Sequence, residues 1–181
     1  MQGSRQFGLV QVQEDAEDPE RFSLFNIGCC LEVTQCETLP DGRSLIQTKA
    51  LRRFKILERN MTDGYWVAKV EFLEEILPSN EYELKLTQDL IRKVQNLVAM
   101  AIHKNRGQQD FSQLEEIITS MEYSLETPAE CAQYASKICT LLPISPQLKQ
   151  PLLEMDSAMD RLKRIITLLE RVVGSSNCAL L

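Results

Sequence analysis

The chain has 181 residues and a mass of 20.7 kDa, the size of one domain or of one domain with a small addition. Its formal charge is −6, and the chain therefore lacks the excess of Lys and Arg that nucleic-acid binding needs. We expect no nucleic-acid partner. Apolar residues make up 44% of the chain, as in ordinary folded proteins, which excludes a disordered or fibrous protein. The sequence shows neither an apolar run long enough for a membrane span nor a signal peptide, so we expect a cytoplasmic protein.

Residues 1–77 show the alternation of apolar residues and the turn signals that are typical of β-strands. Strands are predicted at residues 8–12, 28–33, 44–48, 53–58 and 65–72. The segment Leu39–Arg43 is the clearest turn, because proline presets φ, aspartate can cap the bend and glycine accepts a positive φ. A second turn is predicted at residues 62–64.

Two side-chain patterns suggest how this sheet faces its surroundings. Trp66 and its alternate neighbours as far as Phe72 share one face of the last strand, which we expect to meet a core. The cations Arg52, Arg53 and Lys55 are interpreted as the solvent face and edge of their strand, where charge discourages edge-to-edge pairing.

From residue 78 onward the apolar residues recur every three or four positions, which predicts helices. A long helix is expected to end near Asn105, and a shorter one covers residues 111–121. Thr127 and Ser145, each followed by proline, are typical of helix N-caps. Pro151 predicts a local break in the helix that contains it. In the last helix, the arginines, including Arg161, are placed mainly on the face opposite the apolar stripe.

The predicted fold class is therefore α+β. An antiparallel sheet or small barrel occupies residues 1–77, a helical bundle residues 78–173, and a flexible tail residues 174–181.

The sequence has none of the local motifs that carry catalysis or cofactor binding. It lacks a nucleophile motif and both glycine-rich phosphate-binding patterns. Its single histidine, His103, is expected to be solvated or to cap a helix, and its six cysteines form no C-x-x-C pair. We therefore expect a protein that is not an enzyme by itself and that holds neither a metal nor a cofactor.

The last four residues, Cys178–Leu181, fit the C-a-a-X motif with a terminal leucine, the form read for geranylgeranyl transfer. Cys178 is therefore a candidate prenylation site, and a membrane partner is expected only if this modification occurs. No polybasic run or second upstream cysteine supplies the further signal that stable anchoring needs.

Several short sequence motifs, taken in their order along the chain, resemble those of the N-terminal, or substrate-binding, domain of Lon proteases. In the β-rich part the motifs that carry this resemblance are residues 7–10, 27–33, 39–43, 53–56 and 63–75. In the helical part they are residues 127–142, 148–154 and 160–162, so that the resemblance covers about residues 7–173. The motifs of the β-rich part most resemble those of the Lon domains at the C-terminal end of eukaryotic RING-finger ubiquitin ligases.

The resemblance implies a PUA-like barrel followed by a helical bundle, which binds exposed segments of client proteins for quality control or degradation. It implies no chemistry, because the chain carries no ATPase motif, no Ser-Lys protease dyad and no RING cysteine array. The family's first strands would precede Phe7, so the barrel is expected to be truncated at its N-terminal end. We expect the resulting open sheet edge to associate with a second copy of the chain or with an upstream segment.

Candidate binding residues are Leu39, Arg43 and Tyr65, which we expect near one end of the sheet, where an apolar surface with a polar rim would suit unfolded segments. One alternative makes the chain the recognition part of a RING-type ubiquitin ligase, with the ubiquitin machinery as partner, or, as the weaker option, of an ATP-dependent Lon protease. A prenylated adaptor is a third hypothesis, and it depends on Cys178.

Overall fold

The computed structural model describes residues 5–14, 22–104 and 124–174. The chain divides into two compact units, Met1–Glu74 and Glu75–Leu181. The described part of the first unit contains strands, and the described part of the second contains helices. The predicted α+β class, with the sheet before the helices, is confirmed.

The strands of the first unit form antiparallel sheets. They are β1 (Gln6–Leu9), β2 (Val12–Glu14), β3 (Phe22–Leu24), β4 (Ile27–Thr38), β5 (Ser44–Thr62) and β6 (Tyr65–Phe72). Four of them form a sheet in the order β1-β4-β5-β6, while β2 pairs with β3 in a second sheet. In the part of the chain that the structure describes, these strands form open sheets and not a closed barrel.

Strand β5 is longer than the sequence predicts. The two predicted strands at residues 44–48 and 53–58 are parts of this one strand. Its first half pairs with β4 and its second half with β6, and both pairings include Phe54, which lies opposite Gly28 on one side and Phe72 on the other. Periodicity cannot show this continuity, because it depends on strands that are distant in sequence.

Phe54 is the centre of the small core in the first unit, where its side chain is 4% exposed. Its ring lies against the backbone of Gly8 and Gly28, since a Cβ atom built on either glycine would come within 2.9 Å and 2.8 Å, respectively, of the ring atom Cζ. The absence of side chains at these two positions therefore lets an aromatic ring lie across three strands.

Both predicted turns are confirmed. Gly42 has a φ of 85°, and its N–H donates to the carbonyl oxygen of Leu39 at 3.0 Å. Asp63 and Gly64 have φ values of 52° and 84°, which is the pair of positive angles that a two-residue hairpin loop requires.

The described helices of the second unit surround one apolar core. They are α1 (Glu81–Lys104), α2 (Pro128–Leu141), α3 (Pro146–Glu154) and α4 (Ala158–Gly174). Helix α2 begins as predicted, with Thr127 as N-cap in a capping box with Glu130. The predicted helix at residues 111–121 and the predicted tail at residues 175–181 lie outside the described residues.

Two predictions in the helical unit are wrong. Helix α3 continues through Pro151 without the expected break, in a helix of only nine residues. Arg161 does not face solvent: its side chain is 3% exposed and is surrounded by hydrogen-bond acceptors from other elements. A charged residue can be buried where such partners replace water, and sequence periodicity does not register them.

Candidate protein-binding surface

The second half of β5 and strand β6 form a hairpin with one apolar face, which we call the hairpin face. Directly opposed residues of an antiparallel pair point to the same side of the sheet, so the register identifies this face. Its residues are Arg52, Phe54, Ile56, Arg59 and Met61 of β5, and Trp66, Ala68, Val70 and Phe72 of β6.

Several large apolar side chains of the hairpin face are open to solvent. Met61 is 56% exposed, Trp66 is 50% exposed and Phe72 is 40% exposed. Contiguous exposed apolar side chains are uncommon on monomeric proteins and mark surfaces that contact another molecule. The hairpin face is therefore the candidate site.

Two arginines of β5 lie over the aromatic rings of this face. The Cζ atom of Arg52 is 3.8 Å from the ring centroid of Phe72, and that of Arg59 is 5.6 Å from the ring centroid of Trp66. Each contact lies within the range of a cation–π interaction. The site thus combines flat apolar surface with the fixed guanidinium groups of two exposed side chains.

The opposite face of the same hairpin is mixed, with the exposed side chains of Tyr65 and Val67 beside charged residues. Lys69 and Glu58 form an ion pair across the strands at 3.7 Å, and Lys55 lies directly opposite Glu71. The two faces therefore differ mainly in charge, since acidic residues of the hairpin lie on this opposite face and not on the hairpin face.

The three candidate binding residues do not lie together. Leu39 and Arg43 belong to the turn before the first residue of β5, and Tyr65 follows the turn after its last residue. Since β5 has nineteen residues, the two turns are at opposite ends of the sheet's longest strand. The expectation of one site near one end is not met, and the binding roles of these residues stay predictions.

The turn at Arg43 is held by its own ion pair. The Nε atom of Arg43 donates to Asp41 Oδ2 at 2.7 Å, and its backbone N–H donates to Asp41 Oδ1 at 3.0 Å. These side-chain and backbone hydrogen bonds, in that order, lower the pKa of Asp41. Arg43 is therefore committed within its own turn, while the half-buried Leu39 is less open than Tyr65, which is 59% exposed.

Two interpretations of the sheet surface are corrected by these positions. Trp66 was expected to face a core and is half exposed. Arg52 was expected on a solvent face with Arg53 and Lys55, but it lies over Phe72 on the apolar side. The alternation along β5 places Arg52 on the same side as Phe54, so the signal was present in the sequence.

The structure offers no donor set for a metal in the residues it describes, where no group of three or more His, Cys, Asp or Glu side chains is close enough to hold one. None of the described helices combines the length and the hydropathy needed to cross a membrane. Cys178, the candidate prenylation site, lies outside the described residues.

Comparison with known proteins agrees with the resemblance in the sequence. A model of the substrate-binding domain of the ATP-dependent protease La (LON) matches residues 1–171. The chain belongs to the Lon substrate-binding domain family. Lon protease of Halothermothrix orenii is 27% identical over 162 residues, which are 90% of this chain and 19% of that protein. Lon protease 2 of Desulfotalea psychrophila is 27% identical over 165 residues, or 91% of this chain and 20% of that protein.

The fold is also found in a solved structure, the Lon N-terminal domain protein from Xanthomonas campestris. That structure has a TM-score of 0.54 and 17% sequence identity, and the match covers 90% of this chain and 75% of that chain. The chain spans about one fifth of the length of the curated Lon proteases that it matches. It corresponds to their substrate-binding domain, which is not itself the catalytic part.

Proposed function

We propose that this Lon substrate-binding domain recognises exposed apolar segments of client proteins through the hairpin face, in the context of regulated proteolysis. The observation that carries the proposal is the exposure of Met61, Trp66 and Phe72 on one side of a strand pair, where two arginines also lie over the aromatic rings. Unfolded segments present apolar side chains without a fixed shape, and a flat, open apolar surface suits them better than a deep pocket.

Proteins named Lon protease among the relatives support the protease context of this proposal. The ubiquitin-ligase alternative rests on the sequence motifs of the β-rich part alone, and it stays a prediction. Prenylation at Cys178, with the membrane partner that it would bring, likewise stays a prediction from the C-a-a-X pattern.

The proposal is tested with fluorescently labelled, reduced and alkylated casein as the unfolded client and with the full chain. Changing Met61 and Trp66 together to serine should weaken binding about tenfold, because a few central apolar contacts carry most of the affinity of such a surface. Fluorescence anisotropy measures the dissociation constant, and circular dichroism checks that the variant remains folded.

The matched control is Tyr82→Ser, which removes an aromatic side chain that is 76% exposed on helix α1. This variant should bind casein as the unchanged chain does. Equal loss of affinity in both variants, or no casein binding by the unchanged chain, would exclude the hairpin face as the client site.

A further inference from the structure

The two arginines of the hairpin face have no carboxylate partner among the residues that the structure describes. Arg43 pairs with Asp41 and Lys69 with Glu58, whereas neither Arg52 nor Arg59 takes part in an ion pair within the described part of the chain. A guanidinium group stacked on a ring keeps its N–H donors at the edge, where they can bind a carboxylate through two hydrogen bonds.

The hairpin face carries positive charge that no acidic residue of the same face offsets. On the other side, Lys69 is paired with Glu58 and Lys55 lies opposite Glu71. The hairpin face itself, as defined from Arg52 to Phe72, contains two arginines and no acidic residue. Its chemistry is therefore complementary to a segment that is apolar and acidic.

The spacing of the arginines limits the shape of such a segment. Arg52 and Arg59 are seven positions apart on one strand, with a register shift between Ile56 and Glu58. At about 3.3 Å per residue, and allowing for the register shift, the backbone positions of the two arginines are about 20 Å apart along the strand. An extended peptide bridges that distance with carboxylates about six positions apart, and its apolar residues between them would reach Ile56 and Val70.

We infer that the preferred occupant of the hairpin face is an extended, apolar segment of another protein that carries two carboxylates about six positions apart. Arg52 and Arg59 bind the carboxylates, and the aromatic rings beneath them hold the guanidinium groups in place. This inference rests on the proposed function and specifies the class of client.

Three synthetic peptides with the same apolar sequence test it, with glutamate, glutamine or lysine at two positions about six residues apart. With the full chain, the glutamate peptide should bind about tenfold more tightly than the glutamine peptide, and the lysine peptide should bind most weakly. The difference between the first two should shrink as salt rises, because the contacts are solvent-exposed.

Changing Arg52 and Arg59 together to glutamine should reduce the affinity for the glutamate peptide to that for the glutamine peptide. The matched control is Lys55→Gln, which removes a cation from the opposite face of the same strand and should preserve the preference for glutamate. The double change of both arginines to lysine retains the charge but not the planar group, so it should retain only part of the preference.

Equal affinity of the chain for the glutamate and glutamine peptides would overturn this inference while leaving the proposed function intact, provided that casein still binds. Failure of all three peptides and of casein to bind would overturn both. A dimer detected by light scattering that Met61→Ser and Trp66→Ser abolish, and that excludes the peptides, would assign the hairpin face to a second copy and overturn the inference.

Discussion

At the scale of single residues, the most densely bonded side chain described in the helical unit is Arg161. It donates to Glu75 through both terminal nitrogens at 3.0 Å, to the carbonyl oxygens of Leu152 and Met155 at 3.1 Å and 2.7 Å, and to Ser136 Oγ at 3.1 Å. A guanidinium group has enough donors for all these acceptors. Arg161 therefore ties helix α4 to α2, to α3 and to the start of the unit.

Replacing Arg161 with alanine should lower the free energy of unfolding by about 3–5 kcal/mol, because removal of one partner leaves the others in a buried, poorly hydrated site. Urea unfolding followed by far-ultraviolet circular dichroism measures the change. The control Lys163→Ala removes an exposed cation that pairs with Asp160 on the same helix, and its effect should stay within about 0.5 kcal/mol. Similar losses in both variants would contradict the structural role of Arg161.

The contribution of a second residue, Glu130, to the stability of the fold depends on pH. Hydrogen bonds from the Ser124 hydroxyl and from the Thr127 backbone lower the pKa of its carboxyl below the ordinary value of 4.5. The folded state thus binds its proton less readily than the unfolded state, so the stabilisation is fully present above pH 4.5 and is lost as the pH falls through the lowered value.

Changing Glu130 to glutamine should therefore reduce stability at neutral pH and have a smaller effect in acid, where the glutamate of the unchanged chain is protonated. Thermal unfolding of the Glu130→Gln variant and of the unchanged chain, at neutral pH and in acid, measures the difference. Glu126→Gln is the control, since the Glu126 side chain lies outside the capping box. An effect of Glu130→Gln that is independent of pH would contradict the ionised cap.

At the scale of elements, the close contact of Phe54 with Gly8 and Gly28 joins three strands into one sheet. The pairing of β1 with β4 and of β4 with β5 brings these residues together from distant parts of the chain. This contact fixes the point at which β5 passes from one partner strand to the next, and so it positions the hairpin face.

Gly28→Ala should destabilise the sheet by about 1–3 kcal/mol, because the added Cβ would lie 2.8 Å from the Phe54 ring and closer still to the carbonyl oxygen of Leu9. The fluorescence of Trp66, the single tryptophan of the chain, reports unfolding of the sheet in urea. The control Gly174→Ala adds a Cβ with no neighbour within 4 Å and should leave this transition unchanged. An unchanged midpoint in Gly28→Ala would contradict the close approach of Gly28 to Phe54 and Leu9.

At the scale of the whole molecule, the two units bury very different cores. Among the described residues before Glu75, the buried apolar side chains are only those of Cys30 and Phe54. The rest of the buried apolar side chains belong to one cluster that draws on all four described helices of the second unit and the segment just after α2. Since apolar burial is the main favourable term in folding, most of the stabilisation from the described residues resides in the helical unit.

Backbone amides of β5 and β6 should therefore exchange with deuterium faster than those of helices α1 and α4 in the native chain. Hydrogen exchange read by mass spectrometry makes this comparison within one sample, so no variant is needed. Binding of the casein client should slow exchange in β5 and β6 more than in α1. Equal protection of sheet and helices in the free chain would contradict the unequal division of stability.

Features that depend on neighbouring residues could be predicted from the sequence alone. These include the strand and helix classes, the turns at Gly42 and Gly64, and the cap at Thr127. The family could also be recognised from the sequence, because its short motifs occur in the same order over most of the chain. Backbone preference, capping and side-chain periodicity act over a few residues, so a linear sequence records them.

What covers each face of a strand or helix could not be predicted in this way, because it depends on tertiary contacts. Periodicity placed Trp66 on an apolar side but could not show that this side stays open, and it placed Arg161 on a polar side that other elements enclose. The continuous course of β5, which separates Leu39 and Arg43 from Tyr65, follows from pairing with two different strands. Such features depend on contacts between residues far apart in the chain, where burial and hydrogen bonding with distant partners outweigh local preference.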